Sequence, residues 1–123
     1  MLPSHLRRVA FGAYLVFVAS ICPASVAWAQ DSDAIRATYT KYEYRIPMRD
    51  GVRLFTAVYV PKNRSTTYPI LLFRTPYSVE PYGPDAYRPG IGPSPLFSTD
   101  GYIFAYQDVR GRYDSEGSWY PFT

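Results

Sequence analysis

The sequence has little of the two side chains that most often carry covalent and acid–base chemistry. Its 123 residues include one cysteine, Cys22, and one histidine, His5, and both lie before residue 30. The remainder therefore has no disulfide, no thiol nucleophile and no imidazole base, which excludes a self-contained Ser-His-Asp triad there. A zinc site in that remainder would consist of carboxylates alone, which is unusual.

Long apolar runs are also few, and the one near the N-terminus has the pattern of a secretory signal peptide. Arg7 and Arg8 precede the apolar stretch 9–21, and an Ala-Trp-Ala triplet ends at Ala29. The apolar stretch is about 13 residues long, whereas a membrane-spanning helix needs roughly 20. A lipid anchor at Cys22 is disfavoured because a bulky isoleucine precedes it.

We therefore predict two parts of the chain. Residues 1–29 form a signal peptide that is cut after Ala29, and residues 30–123 are secreted or periplasmic without a stable membrane anchor. The second part has 11 basic and 10 acidic residues, so its formal net charge is near +1. That balance, with no cluster of lysine or arginine, gives no indication of a nucleic-acid partner and leaves the oligomeric state open.

The first half of the mature segment has the pattern of a β-hairpin. After a polar stretch at 30–40, predicted to be a loose lead-in, residues 42–47 alternate large apolar and charged side chains, which predicts a half-buried strand. Its apolar face carries Tyr42, Tyr44 and Ile46. The Asp50-Gly51 pair predicts a tight turn into a second strand over 52–60.

The second half indicates a larger α/β protein. Apolar runs at 70–73 and 102–106 predict strands that are covered on both faces, as in a sheet flanked by helices. The Pro- and Gly-rich segment 78–95 predicts an irregular loop of a length that is usually functional, and 96–100 predicts a short helix that ends at Gly101. These residues offer little helix to cover the strands, so we predict that they are the opening part of an α/β fold.

Tyr77 is the candidate catalytic residue. It follows Pro76 directly after the buried strand, and a tyrosine hydroxyl at the carboxyl end of such a strand can donate a hydrogen bond to a developing oxyanion. A packing role for this aromatic ring is the alternative. None of the seven serines after residue 29 lies in a Gly-x-Ser-x-Gly elbow, so none of them is predicted to be a nucleophile.

A dense charged stretch follows the last predicted strand. It lacks the full spacing of a calcium-binding loop, so a carboxylate metal site is disfavoured. The favoured interpretation is a network of arginines and carboxylates that fixes the conformation of a loop. Its members are Asp108, Arg110, Arg112, Asp114 and Glu116.

The order of these motifs resembles the beginning of one serine hydrolase family. The family comprises X-Pro dipeptidyl-peptidases, cocaine esterase, α-amino-acid ester hydrolases and glutaryl acylases, and the resemblance covers about residues 42–120. It rests on Arg49-Asp50-Gly51, Arg74-Thr75-Pro76-Tyr77, Gln107-Asp108-Val109-Arg110-Gly111-Arg112 and Ser115-Glu116-Gly117.

The resemblance implies an α/β-hydrolase fold and acyl transfer from small-molecule ester or peptide-like substrates through an acyl-enzyme, with no cofactor and no metal. Tyr77 occupies the tyrosine of the family's Arg-x-Pro-Tyr motif, whose hydroxyl donates to the oxyanion hole. The nucleophile elbow, the Asp and the His would lie downstream of residue 123, which implies a fold truncated before the elbow and a chain that is inactive alone. The alternative is a small exported, non-catalytic module that binds a peptide or sugar through the aromatic loop 78–95.

Overall fold

The structure is a computed structural model that describes residues 31–121, so the predicted signal peptide lies outside the described residues. Its elements are α1 (Ser32–Thr38), β1 (Tyr39–Pro47), β2 (Arg53–Pro61), β3 (Ile70–Thr75), α2 (Pro95–Asp100) and β4 (Ile103–Asp108). Within this part of the chain, neither helix has the length or the apolar character needed to cross a membrane.

The four strands form one mixed sheet in the order β1-β2-β4-β3. β1 pairs with β2 and β2 with β4 in antiparallel fashion, whereas β3 and β4 are parallel. The chain between the parallel strands, residues 76–102, contains the irregular loop and α2. A mixed sheet with few helices is consistent with the predicted α/β class.

The hairpin between β1 and β2 confirms the turn that Asp50-Gly51 predicts. The N–H of Met48 donates to the carbonyl of Val52 at 2.8 Å, and the N–H of Gly51 donates to the carbonyl of Met48 at 3.0 Å. Gly51 has a φ of +83°, a conformation that glycine adopts without the steric cost of a Cβ. The tight turn therefore fixes the register of the two strands.

The segment before β1 differs from the prediction of a loose lead-in, because residues 32–38 form α1. The side chain of Asp31 caps this helix by accepting a hydrogen bond from the N–H of Asp33 at 3.1 Å. Ile35 is buried in the core. One cap and one apolar anchor are enough to order a short helix whose other residues are mostly polar.

The hydrophobic core lies against one face of the sheet. Its strand residues alternate along each strand, as the period of two requires. The loop between β3 and α2 contributes the buried side chains of Val79 and Ile91. The strand and helix members of this core are Ile35, Tyr39, Phe55, Ala57, Tyr59, Phe104 and Tyr106.

The face of β1 that the sequence predicts to be buried is the exposed one. Tyr44 and Ile46 are exposed, whereas the side chain of Lys41, on the opposite face, is completely buried. The amine of Lys41 donates to the carbonyls of Pro81, Gly83 and Ala86 at 2.6–2.9 Å. A set of backbone acceptors supplied by a distant loop thus reverses the burial that hydropathy alone predicts.

The two apolar runs that predict doubly covered strands have different outcomes. β4 is buried on both faces, as predicted. β3 is an edge strand of the sheet within residues 31–121, and Ile70 and Leu72 are 66% and 55% exposed. The alternate residues Leu71 and Phe73 pack against the core, so only one face of β3 is covered.

The loop and short helix between β3 and β4 agree with the sequence. The chain between Thr75 and Pro95 contains no helix or strand, and α2 ends at Gly101, whose φ is +84°. Tyr106 of β4 binds the loop, because its hydroxyl accepts a hydrogen bond from the N–H of Gly92 at 2.7 Å. The irregular loop is therefore packed onto the sheet.

Candidate functional site

Tyr77 lies where the carboxyl ends of the two parallel strands meet. Thr75 at the end of β3 is in register with Asp108 at the end of β4, and Tyr77 is two residues beyond Thr75. Tyr77 is 75% exposed. Ligands of open α/β sheets bind outside the carboxyl ends of the strands, so this is the edge at which a substrate is expected.

The backbone around Tyr77 is held, whereas its hydroxyl is not. The N–H of Tyr77 donates to the Thr75 Oγ1 at 3.1 Å, and the N–H of Val109 donates to the Thr75 carbonyl at 3.1 Å. The Arg112 Nε donates to the carbonyl of Pro76 at 3.2 Å. Within residues 31–121, no hydrogen bond involves the Tyr77 hydroxyl, so a ligand can accept from it without displacing a protein partner.

Asp108 is the main site feature that the sequence does not predict. The sequence places it in a network of arginines and carboxylates that fixes a loop, but its side chain is fully buried and forms no ion pair with a described residue. It accepts hydrogen bonds from the N–H groups of Val79 and Asp114 and from the hydroxyl of Tyr82. The apolar run that leads into it was the available signal, since β4 stays buried up to its last residue.

Tyr82 acts as a donor to this carboxylate over the whole physiological pH range. Burial raises the pKa of Tyr82 to about 12, and the hydrogen bond to Asp108 and the charge of that carboxylate act in the same direction. A hydrogen bond with Ser78 opposes them. The phenol therefore keeps its proton, which it donates to Asp108 at 2.9 Å.

The charged stretch after β4 pairs with the hairpin rather than within itself. Arg45 binds Asp114, Arg53 binds Glu116, and Arg110 binds Asp50, with N–O distances of 2.6–2.8 Å. Arginines and carboxylates thus hold the loop, as predicted, with half of the charges supplied by β1, β2 and their turn. All six side chains are partly exposed.

These ion pairs shift the titration of two carboxylates. Hydrogen bonds from the Arg53 side chain and backbone hold the pKa of Glu116 below its ordinary value. The Arg110 side chain lowers the pKa of Asp50 in the same way. Both acids are therefore ionised at neutral pH, and each adds a charge-assisted hydrogen bond to the loop.

Ser115 joins the loop to the sheet and has no catalytic geometry. Its hydroxyl donates to the carbonyl of Asp108 at 2.8 Å and accepts the N–H of Phe55 at 2.9 Å. Both hydrogen bonds are to backbone groups, so no side-chain base activates this oxygen. In the described stretch 31–121, no three His, Cys, Asp or Glu residues are grouped so that they could hold a metal ion.

Comparison with known proteins gives this chain a family. The X-Pro dipeptidyl-peptidase (S15) family matches residues 50–123, which contain both Tyr77 and Asp108. Cocaine esterase from Rhodococcus sp. (strain MB1 Bresler) is 38% identical over 76 residues, 62% of this chain and 13% of that protein.

Two solved structures resemble this one. An aminopeptidase from the marine sediment archaeon Thaumarchaeota archaeon has 38% identity and a TM-score of 0.55 over 68% of this chain and 14% of its own. An α-amino acid ester hydrolase labelled with selenomethionine has 34% identity and a TM-score of 0.54 over 89% of this chain and 17% of its own. The chain thus spans 13–17% of the length of these relatives.

Proposed function

Because this chain belongs to the X-Pro dipeptidyl-peptidase (S15) family, we propose that it is the N-terminal segment of a secreted serine hydrolase. The enzyme cleaves ester or amide bonds of small-molecule or peptide-like substrates through an acyl-enzyme. The names of the relatives support this range of substrates, since they include an esterase, an ester hydrolase and an aminopeptidase. The N-terminal pattern at 1–29 supports secretion.

Tyr77 donates its hydroxyl to the oxyanion in this proposal. The observation that carries it is the position of an exposed tyrosine at the carboxyl edge of the parallel strand pair, with a hydroxyl that has no hydrogen-bond partner among residues 31–121. An acyl transfer develops negative charge on the former carbonyl oxygen, and a donor fixed beforehand stabilises that charge without reorganisation. The bonded backbone from Thr75 to Tyr77 supports this role by fixing the point at which the tyrosine side chain leaves the main chain.

The nucleophile and the base come from residues outside this sequence. Residues 30–123 contain no histidine and no cysteine, and none of their serines lies in a nucleophile elbow. The open edge of β3 can accept a further parallel strand, and Ile70 and Leu72 offer an apolar face for covering helices, as an α/β-hydrolase sheet requires. The 123-residue chain by itself is accordingly expected to hydrolyse nothing.

The binding-module alternative receives less support. It requires the loop 78–95 to present aromatic side chains to a peptide or sugar. Tyr82 and Tyr87 instead pack against the core, where Val79 and Ile91 are buried. The loop is turned inward, so we retain the hydrolase as the proposed function.

The experiment replaces Tyr77 in the full-length enzyme that carries this chain. Tyr77→Phe should lower kcat for an activated ester by about 10²–10³-fold, as loss of one oxyanion donor does. Tyr44→Phe, which alters an exposed tyrosine of β1, is the matched control and should leave kcat unchanged. Equal turnover of wild type and Tyr77→Phe would remove Tyr77 from the mechanism.

A further inference from the structure

Asp108 lies beside the first residues of the loop after β3 and binds one of them through its side chain. It is the last residue of β4, its side chain is fully buried, and its register partner in β3 is Thr75. The chain leaves the sheet immediately after Thr75 and reaches Tyr77 two residues later. The carboxylate is therefore adjacent to the backbone that determines where Tyr77 lies.

The hydrogen bonds of Asp108 connect two loops. Its Oδ1 accepts the N–H of Val79 at 3.2 Å, and its Oδ2 accepts the Tyr82 hydroxyl at 2.9 Å and the N–H of Asp114 at 3.4 Å. Val79 and Tyr82 belong to the loop after β3, and Asp114 belongs to the loop after β4. One side chain thus accepts hydrogen bonds from both loops, so Asp108 joins them.

The position of Tyr77 depends on this junction because its own side chain provides little anchorage. The ring is mostly exposed, so its place is set by the backbone on either side. On one side, Thr75 fixes that backbone through its hydroxyl and its carbonyl. On the other side, the Ser78 hydroxyl hydrogen-bonds with the Tyr82 hydroxyl at 3.1 Å, and the N–H of Val79 donates to Asp108 at 3.2 Å. Tyr82 in turn donates to Asp108, so both of these contacts lead to the same carboxylate.

We propose that Asp108 is a positioning residue for the Tyr77 hydroxyl: its carboxylate fixes Val79 and Tyr82, and thereby the backbone that carries Tyr77, against the loop after β4. This inference rests on the proposed role of Tyr77 at the oxyanion. Asp108 itself touches no reacting atom. A donor must lie 2.7–3.1 Å from the developing oxyanion. A small displacement of the hydroxyl therefore reduces the stabilisation of the transition state more than it reduces the binding of the substrate.

A purely structural role for Asp108 leads to a different expectation. A carboxylate that only stabilises the fold changes how much enzyme is folded, and it leaves kcat per titrated active site unaltered. A carboxylate that acts through Tyr77 changes kcat, and its effect disappears once the Tyr77 hydroxyl has been removed. Effects of residues that work as a unit are non-additive, and a double-mutant cycle measures that.

The test measures kcat and KM per titrated active site in the full-length enzyme for wild type, Asp108→Asn, Tyr77→Phe and the double variant. Asparagine keeps the shape but places an amide N–H₂ where a donor now binds. Asp108→Asn should lower kcat about 10- to 100-fold, with KM within about threefold. In the Tyr77→Phe background the same substitution should lower kcat by less than about threefold. Asp33→Asn, a substitution of the same chemistry at an exposed position of α1, is the control and should change neither constant.

Tyr82→Phe keeps the test decisive if Asp108→Asn does not fold. It removes the hydroxyl that donates to Asp108 and also bonds Ser78, and it leaves the carboxylate in place. We expect kcat to fall about 3- to 10-fold, again only when Tyr77 is present. If Tyr77→Phe slows the enzyme and both other substitutions act equally in the two backgrounds, the positioning role is overturned and the oxyanion role stands. If Tyr77→Phe has no effect, the oxyanion role fails, and the positioning role fails with it.

Discussion

The amine of Lys41 lies 2.8 Å from Oε1 of Glu43, two residues along the same strand, and the lysine side chain is completely buried. Glu43 also accepts the N–H of Gly83 at 2.7 Å. The pair therefore binds both backbone groups of Gly83 in the loop after β3, since Lys41 donates to its carbonyl and Glu43 accepts its N–H. A buried ammonium is tolerated here because carboxylate and carbonyl oxygens surround it.

Removing this ammonium should destabilise the fold strongly. Lys41→Met keeps the aliphatic length but leaves three loop carbonyls without their donor and Glu43 without its cation. The free energy of unfolding should therefore fall by about 3–5 kcal/mol. Lys62→Met is the matched control, because the Lys62 amine binds one exposed carbonyl, that of Arg36. Urea unfolding of the two variants tests this, and equal losses of stability would contradict it.

Gly111 should tolerate no side chain, for reasons of space more than of backbone angle. A Cβ on Gly111 would lie 2.2 Å from the Trp119 nitrogen and 2.3 Å from the Ser118 carbonyl carbon, and backbone cannot give way as a side chain can. Gly51 also has a positive φ, but a Cβ added there would meet no atom within 4 Å. Gly51→Ala should cost about 1–2 kcal/mol from strain, and Gly111→Ala clearly more. Thermal unfolding of both variants measures the difference, and a Gly111→Ala variant as stable as Gly51→Ala would contradict it.

The loop after β4 should loosen in acid. Arg53 holds the folded-state pKa of Glu116 below its ordinary value of 4.5, so this contribution to stability is fully present above pH 4.5 and is lost as pH falls through the lowered pKa. The stability difference between wild type and Glu116→Gln should therefore shrink as pH falls below 4.5. Unfolding curves from pH 7 to pH 2.5 measure it, and because the pair is exposed the effect should also weaken in salt. A difference independent of pH would exclude this cause.

The bare face of β3 should govern the solubility of the isolated segment 30–123. Ile70 and Leu72 expose apolar surface on an edge strand, which favours association between copies. Changing both to threonine, a good strand former, should raise the soluble fraction. Leu71→Thr is the control, because Leu71 packs against the core and its loss should lower the soluble fraction. Sedimentation measures the soluble fractions of the parent segment, the double threonine variant and Leu71→Thr. A lower soluble fraction for the double variant than for Leu71→Thr would contradict the prediction.

Local patterns predict the strands, the turn at Gly51 and the end of α2 because each depends on neighbours in sequence. Burial in β1 is predicted on the wrong face, since it depends on carbonyls some 40 residues away that satisfy Lys41. α1 is missed for a related reason. Its polar composition suggests a loose segment, and the burial of Ile35 becomes evident only in the assembled core.

The candidate site likewise has features that the sequence predicts and features that depend on distant residues. The position of Tyr77 just after β3 can be predicted, because the apolar run 70–73 and the Arg-x-Pro-Tyr motif are both present in the sequence; its catalytic role stays a prediction. The arginine–carboxylate network can be predicted in kind but not in its pairing, since Arg45 and Arg53 come from strands more than 60 residues before their partners. The burial of the Asp108 side chain depends on a loop that folds over it, and its one local signal is the apolar run that leads into it along β4.

In our proposal this segment serves a serine hydrolase whose nucleophile lies elsewhere in the protein. Labelling the full-length enzyme with a serine-directed organophosphorus reagent, followed by peptide mass mapping, tests this most directly. We expect one labelled serine, outside this sequence, with activity lost in proportion to labelling. A label on Ser115 or any other serine of residues 30–123, or full activity after exhaustive treatment, would contradict the proposal.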